Sequence, residues 1–514
     1  MINIKRGGSV SSIKKVQEAV AAQEKPNILM IMCDQLNASV LSCYGGQVRV
    51  PNIEKLAKDG AIFDKAYCQT PFCSPSRASV ITGLYPHGHG LAGNVMRLDY
   101  PVCRAPETEE GINNQDVTTE KLLHKAGYTT AHYGKWHLLG EIPDYYPDMY
   151  REHYEYKKDA AALFEQTEGL ERSGYMDWYG WKLPVDVPDS VKAGAGKLSD
   201  RWRKLDRLND FFTKIGRLKM RPEDTFDYKV ADRCLDFIGR QGNTPFMLTC
   251  SFNLPHDPNV VPSPYYEMFD PGGIDCDIRK FCDSYFEKEL SREVAVQMGE
   301  SFLREFLRVY FASVLFIDDQ VGRLLRALEK KGLLDRTVIL FVSDHGDMAG
   351  GHGMFWKSTS SFYDEISRVP LILRYPPAVK PGRYEYPVEL IDIMPTLLEL
   401  AGEESPDGIH GESLIPCISG VKDGSEKAAL SERIRWNEKH VRKLDGSEEG
   451  AFMIRTMKWK YSVYPDGKEF LFDMEADPHE YENLAGDGAH GDIAEELRKA
   501  LGKRLADTGC GLLK

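Results

Sequence analysis

In "PFCSPSRASVITGLYPHGHG", residues 71–90, Cys73 stands immediately before a Ser-Pro-Ser-Arg turn that runs into a helical pattern. Pro75 suits a first helical turn, and Arg77 adds a fixed positive charge beside the exposed amides of that turn. Such a place receives an anion and lowers the pKa of a thiol, so Cys73 reads as reactive or modified rather than as a small buried hydrophobe. Two further pairs, Asp34-Gln35 and Asp344-His345, each follow a short apolar run. Oxygen-rich pairs of this kind suit Ca²⁺ or Mg²⁺, and the histidine widens the choice to Mn²⁺. With Arg77, Lys135, His137, His256 and Lys357, the set offers a metal site, a nucleophile, cationic clamps and acid–base groups for attack at a charged centre.

These residues sit where strands should end. "NILMIMC" (27–33) runs into Asp34, "TVILFVS" (337–343) into Asp344, "FMLTCSFN" (246–253) into "LPHDP", and "YTTAHY" (128–133) into "GKWH". Continuous apolar runs alternating with helical stretches predict an α/β fold with a large, mostly parallel sheet flanked by helices. Ligands of such sheets bind beyond the carboxyl ends of the strands, so the four clusters predict one shared site. The stretch 302–332 has helical periodicity, and its Asp318 and Asp319 read as carboxylates that face solvent or cap a neighbour.

The chain reads as a polar N-terminal extension (1–26), a catalytic α/β domain (27–420) and a smaller C-terminal subdomain (421–514) of antiparallel sheet plus helix. Within the large domain, 138–225 is a weakly periodic, aromatic-rich insertion expected to form a substrate rim. Its Trp178, Tyr179 and Trp181 fit either stacking on a ring or sealing a loop. The basic run 201–221 reads as a solvated helix face.

Composition narrows the partners. The 514 residues are 42% hydrophobic and 28% charged, with a net charge of -13. An acidic chain argues against nucleic-acid binding, and an anionic substrate needs a local positive pocket. Eleven cysteines without CxxC spacing favour a reducing compartment. The first 26 residues carry no apolar signal-like core and no later run is long enough to span a bilayer, which predicts a cytoplasmic enzyme without a membrane partner.

"CSPSR" (73–77) reproduces the C-x-P-S-R core of the type I sulfatases, and "GYTTAHYGKWH" (127–137) resembles their second signature. "KPNILMIMCDQ", "LPHDP", "SDHGDMAGGHGMFWK" and "SRVPLILRYP" follow in the family's order. The chain therefore resembles a formylglycine-dependent sulfatase of the alkaline phosphatase superfamily. The resemblance implies that a maturation enzyme converts Cys73 to formylglycine, whose hydrate attacks sulfur and whose second hydroxyl later breaks the covalent sulfoenzyme. It implies metal ligation by Asp34, Gln35, Cys73, Asp344 and His345, with calcium first and manganese or magnesium as alternatives. Arg77 then anchors the hydrate, Lys135 and Lys357 clamp sulfate oxygens, His137 is the base for sulfoenzyme breakdown and His256 the acid at the leaving oxygen. Asn94 and Trp178 are added as substrate-binding residues, while His87 and His89 shape the turn after the nucleophile. The implied substrate is a sulfate monoester of a sugar, an aryl or steroid alcohol, or choline, and a homo-oligomer is compatible with it. Two readings compete: a phosphonate monoester or phosphodiester hydrolase, and an inactive anion-binding homologue.

Overall fold

The computed structural model describes residues 25–94, 111–112, 116–138, 148–151, 183–209, 214–276, 284–286, 289–357, 361–435 and 449–511. Trp178, Tyr179 and Trp181 lie outside the described residues. The described strands begin with β1 (Asn27–Asp34), β2 (Ala61–Tyr67), β3 (Thr129–Gly134) and β4 (Asp148–Arg151). They continue with β5 (Val185–Asp186), β6 (Gly216–Leu218), β7 (Phe246–Pro255) and β8 (Val260–Pro262). Next come β9 (Thr337–Ser343), β10 (Arg368–Val369), β11 (Leu371–Arg374) and β12 (Gly382–Glu389). The last four are β13 (Ala429–Arg435), β14 (Glu449–Arg455), β15 (Trp459–Val463) and β16 (Glu469–Asp473).

Nine strands form the main sheet in the order β10-β2-β11-β9-β1-β7-β3-β4, with β12 pairing β2. The β9-β1-β7-β3-β4 stretch is parallel, and the antiparallel pairs lie where β11 and β10 join. Every residue of β1 is buried. The strand sits between β7 and β9 with helices on both faces, which explains its unbroken apolar run. Ile28, Met30 and Met32 join the core facing the helices Cys73–Thr82, Thr119–Lys125 and Ile393–Leu400. Leu29, Ile31 and Cys33 join the opposite core, under Pro51–Asp59, Phe226–Arg240 and Glu300–Lys330. The period of two along a strand thus feeds two separate cores.

The mixed, mostly parallel sheet agrees with the sequence reading, as does the separate antiparallel sheet β13-β14-β15-β16. The helix Gly491–Asp507 covers the small sheet, with Leu497, Leu501 and Leu505 packed against Phe452, Ile454 and Leu471. Strands β5, β6 and β8 form a three-stranded sheet near one end of the 138–225 insertion. Among the described residues, no helix is long and apolar enough to cross a membrane.

Candidate active site

Four strands adjacent in the sheet bring the polar clusters together. β1 ends at Asp34, β9 is followed by Asp344 and His345, β3 by Lys135 and His137, and β7 by His256. Gly134 lets the chain turn at the end of β3. It has φ +106, and a Cβ there would lie 1.9 Å from the Ser251 carbonyl oxygen. Lys135 N–H donates to that same oxygen at 2.9 Å, so the close approach fixes the lysine's exit from the sheet.

Cys73 opens the helix Cys73–Thr82, all of whose residues are buried. Ser74 N–H donates to Asn94 Oδ1 at 3.1 Å, which satisfies one of the amides that a first helical turn leaves open. Asn94 is therefore found supporting the helix that Cys73 opens. His89 and His87 lie in the following turn, where His89 bonds Ser79 Oγ at 3.1 Å and His87 bonds Glu432 at 2.7 Å.

The two carboxylates divide their oxygens. Arg77 bridges them, with Nη2 3.0 Å from Asp34 Oδ2 and Nε 2.8 Å from Asp344 Oδ2. Its Nη1 also donates to Ser251 Oγ at 2.8 Å and to the Lys135 carbonyl at 3.0 Å. Lys135 Nζ lies 2.8 Å from Asp34 Oδ2. The Oδ1 atoms instead meet His345 Nε2, at 3.8 Å from Asp34 and 3.7 Å from Asp344. Cys73 Sγ completes the group, 3.2 Å from His345 Nε2 and 3.7 Å from Asp34 Oδ1. Candidate ligand atoms of Asp34, Cys73, Asp344 and His345 all lie within 4.8 Å of one another.

That geometry fits a divalent cation. Ligands at ~2.4 Å from an ion stand about 3.4 Å apart along the edges of its coordination shell. Gln35, next to Asp34 in the chain, offers a further candidate oxygen: its Oε1 is buried and, among the described residues, has no hydrogen-bond partner. The charges agree. Burial and then Cys73 oppose ionisation of Asp34, yet Lys135, His256 and Arg77 hold its carboxyl well below the usual range. Burial, followed by Asp34 itself, pushes Asp344 up to about 6. A cation at the Oδ1 atoms would further favour ionisation of both buried carboxylates.

Lys357 and His256 form a second cluster beside Cys73. Lys357 Nζ donates to Cys73 Sγ at 3.2 Å and lies 3.0 Å from His256 Nε2, while His256 Nδ1 is 2.8 Å from the Asp257 carbonyl. Trp356 Nε1 donates to Asn259 Oδ1 at 2.7 Å, joining the loops that carry the two residues. His137, at φ +53, hydrogen-bonds Cys73. Burial disfavours a thiolate, but Lys357, Lys135 and His345 together hold the Cys73 thiol well below its ordinary pKa.

Sequence reasoning missed Ser251, Asn259, Tyr310 and Asp347, which touch the site residues rather than the site's centre. Arg77 pairs with the carboxylates of Asp34 and Asp344, and Lys135 pairs with Asp34 while its charge also lowers the pKa of the Cys73 thiol.

A family model described as "Sulfatase" matches residues 26–403, and one described as "N-sulphoglucosamine sulphohydrolase, C-terminal" matches 350–507. The chain is similar to the choline-sulfatase of Rhizobium meliloti, 32% identical over 90% of this chain and 82% of the relative. It is also similar to the N-acetylglucosamine-6-O-sulfatase of Bacteroides thetaiotaomicron, 28% identical over 93% of this chain and 86% of that protein. Its fold matches the solved phosphonate monoester hydrolase of Silicibacter pomeroyi with a TM-score of 0.72 at 22% identity, covering 95% of this chain and 97% of that one.

Proposed function

The chain belongs to the sulfatase family and is a sulfuric ester hydrolase, and from that premise we propose that it cleaves sulfate monoesters of saccharides or small alcohols at the carboxyl ends of β9, β1, β7 and β3. One observation carries this reading: Cys73 Sγ lies 3.2 Å from both His345 Nε2 on the carboxylate side and Lys357 Nζ on the leaving side. The names of the relatives support both a saccharide and a small-molecule alcohol.

A divalent cation, Ca²⁺ for preference, would be held by Asp34, Gln35, Asp344, His345 and residue 73, where it supplies Lewis-acid stabilisation of negative oxygen. Formylglycine made from Cys73 by a maturation enzyme would supply a carbonyl hydrate with two hydroxyls at the same position. The chain's own residues do the rest. Arg77 keeps Oδ2 of both carboxylates occupied, so the Oδ1 atoms stay aimed at the centre. Lys357 neutralises a sulfate oxygen, and Lys135 sets the charge of Asp34 beside it. His256 and Lys357 share a proton at Nε2 and pass it to the departing alcohol oxygen. His137 takes a proton from the oxygen of residue 73 when sulfate is released.

The test is a panel of aryl, sugar and choline sulfates beside matched phosphonate monoesters and phosphodiesters, with released sulfate and phosphate quantified. Sulfate release should dominate and vanish in Cys73→Ala. Faster cleavage of a phosphonate or phosphodiester than of every sulfate would overturn the proposed substrate class.

A further inference from the structure

Gln35, the residue that follows β1, is held through both its backbone and its side chain. Its backbone is left-handed at φ +68. Its N–H donates to Asp344 Oδ1 at 3.1 Å and its carbonyl accepts from Tyr310 OH at 2.7 Å. The side-chain amide is anchored through its nitrogen alone, with Nε2 donating to Asp347 Oδ2 at 2.6 Å. Both residues are fully buried. Asp347 is itself fixed: its Oδ1 accepts the Ala349 N–H at 2.7 Å, the Trp356 amide also bonds its carboxylate, and its carbonyl accepts from Asn37 Nδ2 at 2.8 Å.

An amide has two ends, and only one can face a cation. A carboxylate can accept hydrogen bonds but, ionised, cannot donate them, so it selects the NH₂ end of Gln35 and leaves Oε1 for another partner. We infer that Asp347 is a positioning residue, which holds the Gln35 nitrogen so that Oε1 stays turned to the ion bound by Asp34, Asp344 and His345. The inference rests on the metal-site reading above and extends it from the ligands to the group that orients one of them.

The consequence is a matter of polarity rather than shape. Asp347→Asn keeps the outline of the side chain, but the oxygen of the new amide is retained by the Ala349 N–H and its NH₂ then faces Gln35. Gln35 must turn its own oxygen toward that NH₂ and present hydrogens to the cation. Gln35→Glu reverses the preference, because one carboxylate oxygen accepts from the NH₂ introduced at position 347 while the other stays free, whereas the native Asp347 would repel it.

Full-length protein is titrated with Ca²⁺, and separately with Mn²⁺, in competition with a fluorescent chelator. Asp347→Asn should weaken the ion about 10- to 100-fold, in the range usual for groups that orient a metal ligand. In the Gln35→Glu background the same substitution should bring no loss, or a gain. A purely structural Asp347 would cost the same in both backgrounds, and that result overturns the inference, as does an unchanged Kd in Asp347→Asn alone. Asp34→Asn is the control for the site itself. If it leaves affinity intact, the metal site is misplaced and both readings fall; if it weakens binding while Asp347→Asn does not, only the positioning role falls.

Discussion

His256 presents its two nitrogens to different chemistry. Nδ1 lies 2.8 Å from a carbonyl that can only accept, so Nδ1 carries hydrogen and Nε2 is left to Lys357 at 3.0 Å. A proton held there matters in proportion to the basicity of the departing oxygen. His256→Ala should therefore slow alkyl sulfates by roughly 10²- to 10⁴-fold while sparing sulfates of acidic phenols. Equal losses across a series of leaving groups would remove His256 from proton delivery. Cys73 makes a complementary prediction. In Cys73→Ser a single hydroxyl attacks sulfur once, and its sulfate ester has no second hydroxyl with which to collapse, so labelled sulfate should remain on the peptide containing residue 73 by mass spectrometry. Multiple turnover by Cys73→Ser, or full activity from protein whose Cys73 is entirely thiol, would sink the two-hydroxyl chemistry. The candidate cluster of Asp34, Cys73, Asp344 and His345 was legible because its members follow strand ends or sit in a short motif. The partners of that cluster were not. Asp344 meets Arg77 across 267 residues and Gln35 meets Asp347 across 312, and no local pattern encodes such a pairing.

Elements position these residues through packing that the sequence disclosed unevenly. The strands were readable because burial on both faces demands unbroken apolar runs, and the long helix because its apolar residues recur at helical spacing. Its adjacent carboxylates looked alike in sequence, yet they face different neighbours. Asp318, buried on the core side, accepts the amides of Asn52 at 3.1 Å and Ile53 at 2.8 Å, together with Asn52 Nδ2 at 2.8 Å. It thereby caps the helix Pro51–Asp59 from outside, a helix whose own flanking residue, Val50, supplies no side-chain acceptor. One turn on, Gly322 admits Asn52 so closely that a Cβ would lie 2.4 Å from its Oδ1. Asp319 accepts a hydrogen bond from Tyr265 OH at an exposed position. Asp318→Ala should cost about 1–3 kcal/mol through the stranded amides, and Asp319→Ala within about 0.5 kcal/mol. Urea midpoints of the two variants check this, and equal midpoints would mean that the helices are held by apolar packing alone.

At the scale of the whole molecule, the C-terminal sheet and helix are tied to the turn that follows the helix Cys73–Thr82. His87 bonds Glu432 of β13 at 2.7 Å and Thr508 at 3.1 Å, while Tyr85 OH donates to Glu389 at 2.7 Å and accepts from Arg504 at 2.8 Å. His410 packs into this joint, its ring stacked 5.2 Å from Tyr85 and 5.5 Å from His87. Its Nδ1 accepts the Tyr85 N–H at 3.1 Å, which requires an unprotonated nitrogen. Burial, then the neighbouring His87 and Arg504, push the ring's pKa from 6.5 down to about 4. Between those values the unfolded chain binds the proton more readily than the folded one, so this contribution to stability is complete above pH 6.5 and disappears as the pH falls through 4. His410→Asn keeps an acceptor for Tyr85 but does not titrate. The stability difference between the parent and His410→Asn should therefore shrink by about 1–2 kcal/mol from about pH 7 to about pH 4, a figure reduced for solvent screening because the ring is half-buried. Urea midpoints of both proteins across that interval measure it, and subtracting one from the other cancels the titrating groups that are not coupled to His410. A difference that stays constant with pH would show that the joint between the turn at residues 85–87 and the C-terminal helix is indifferent to the charge of His410.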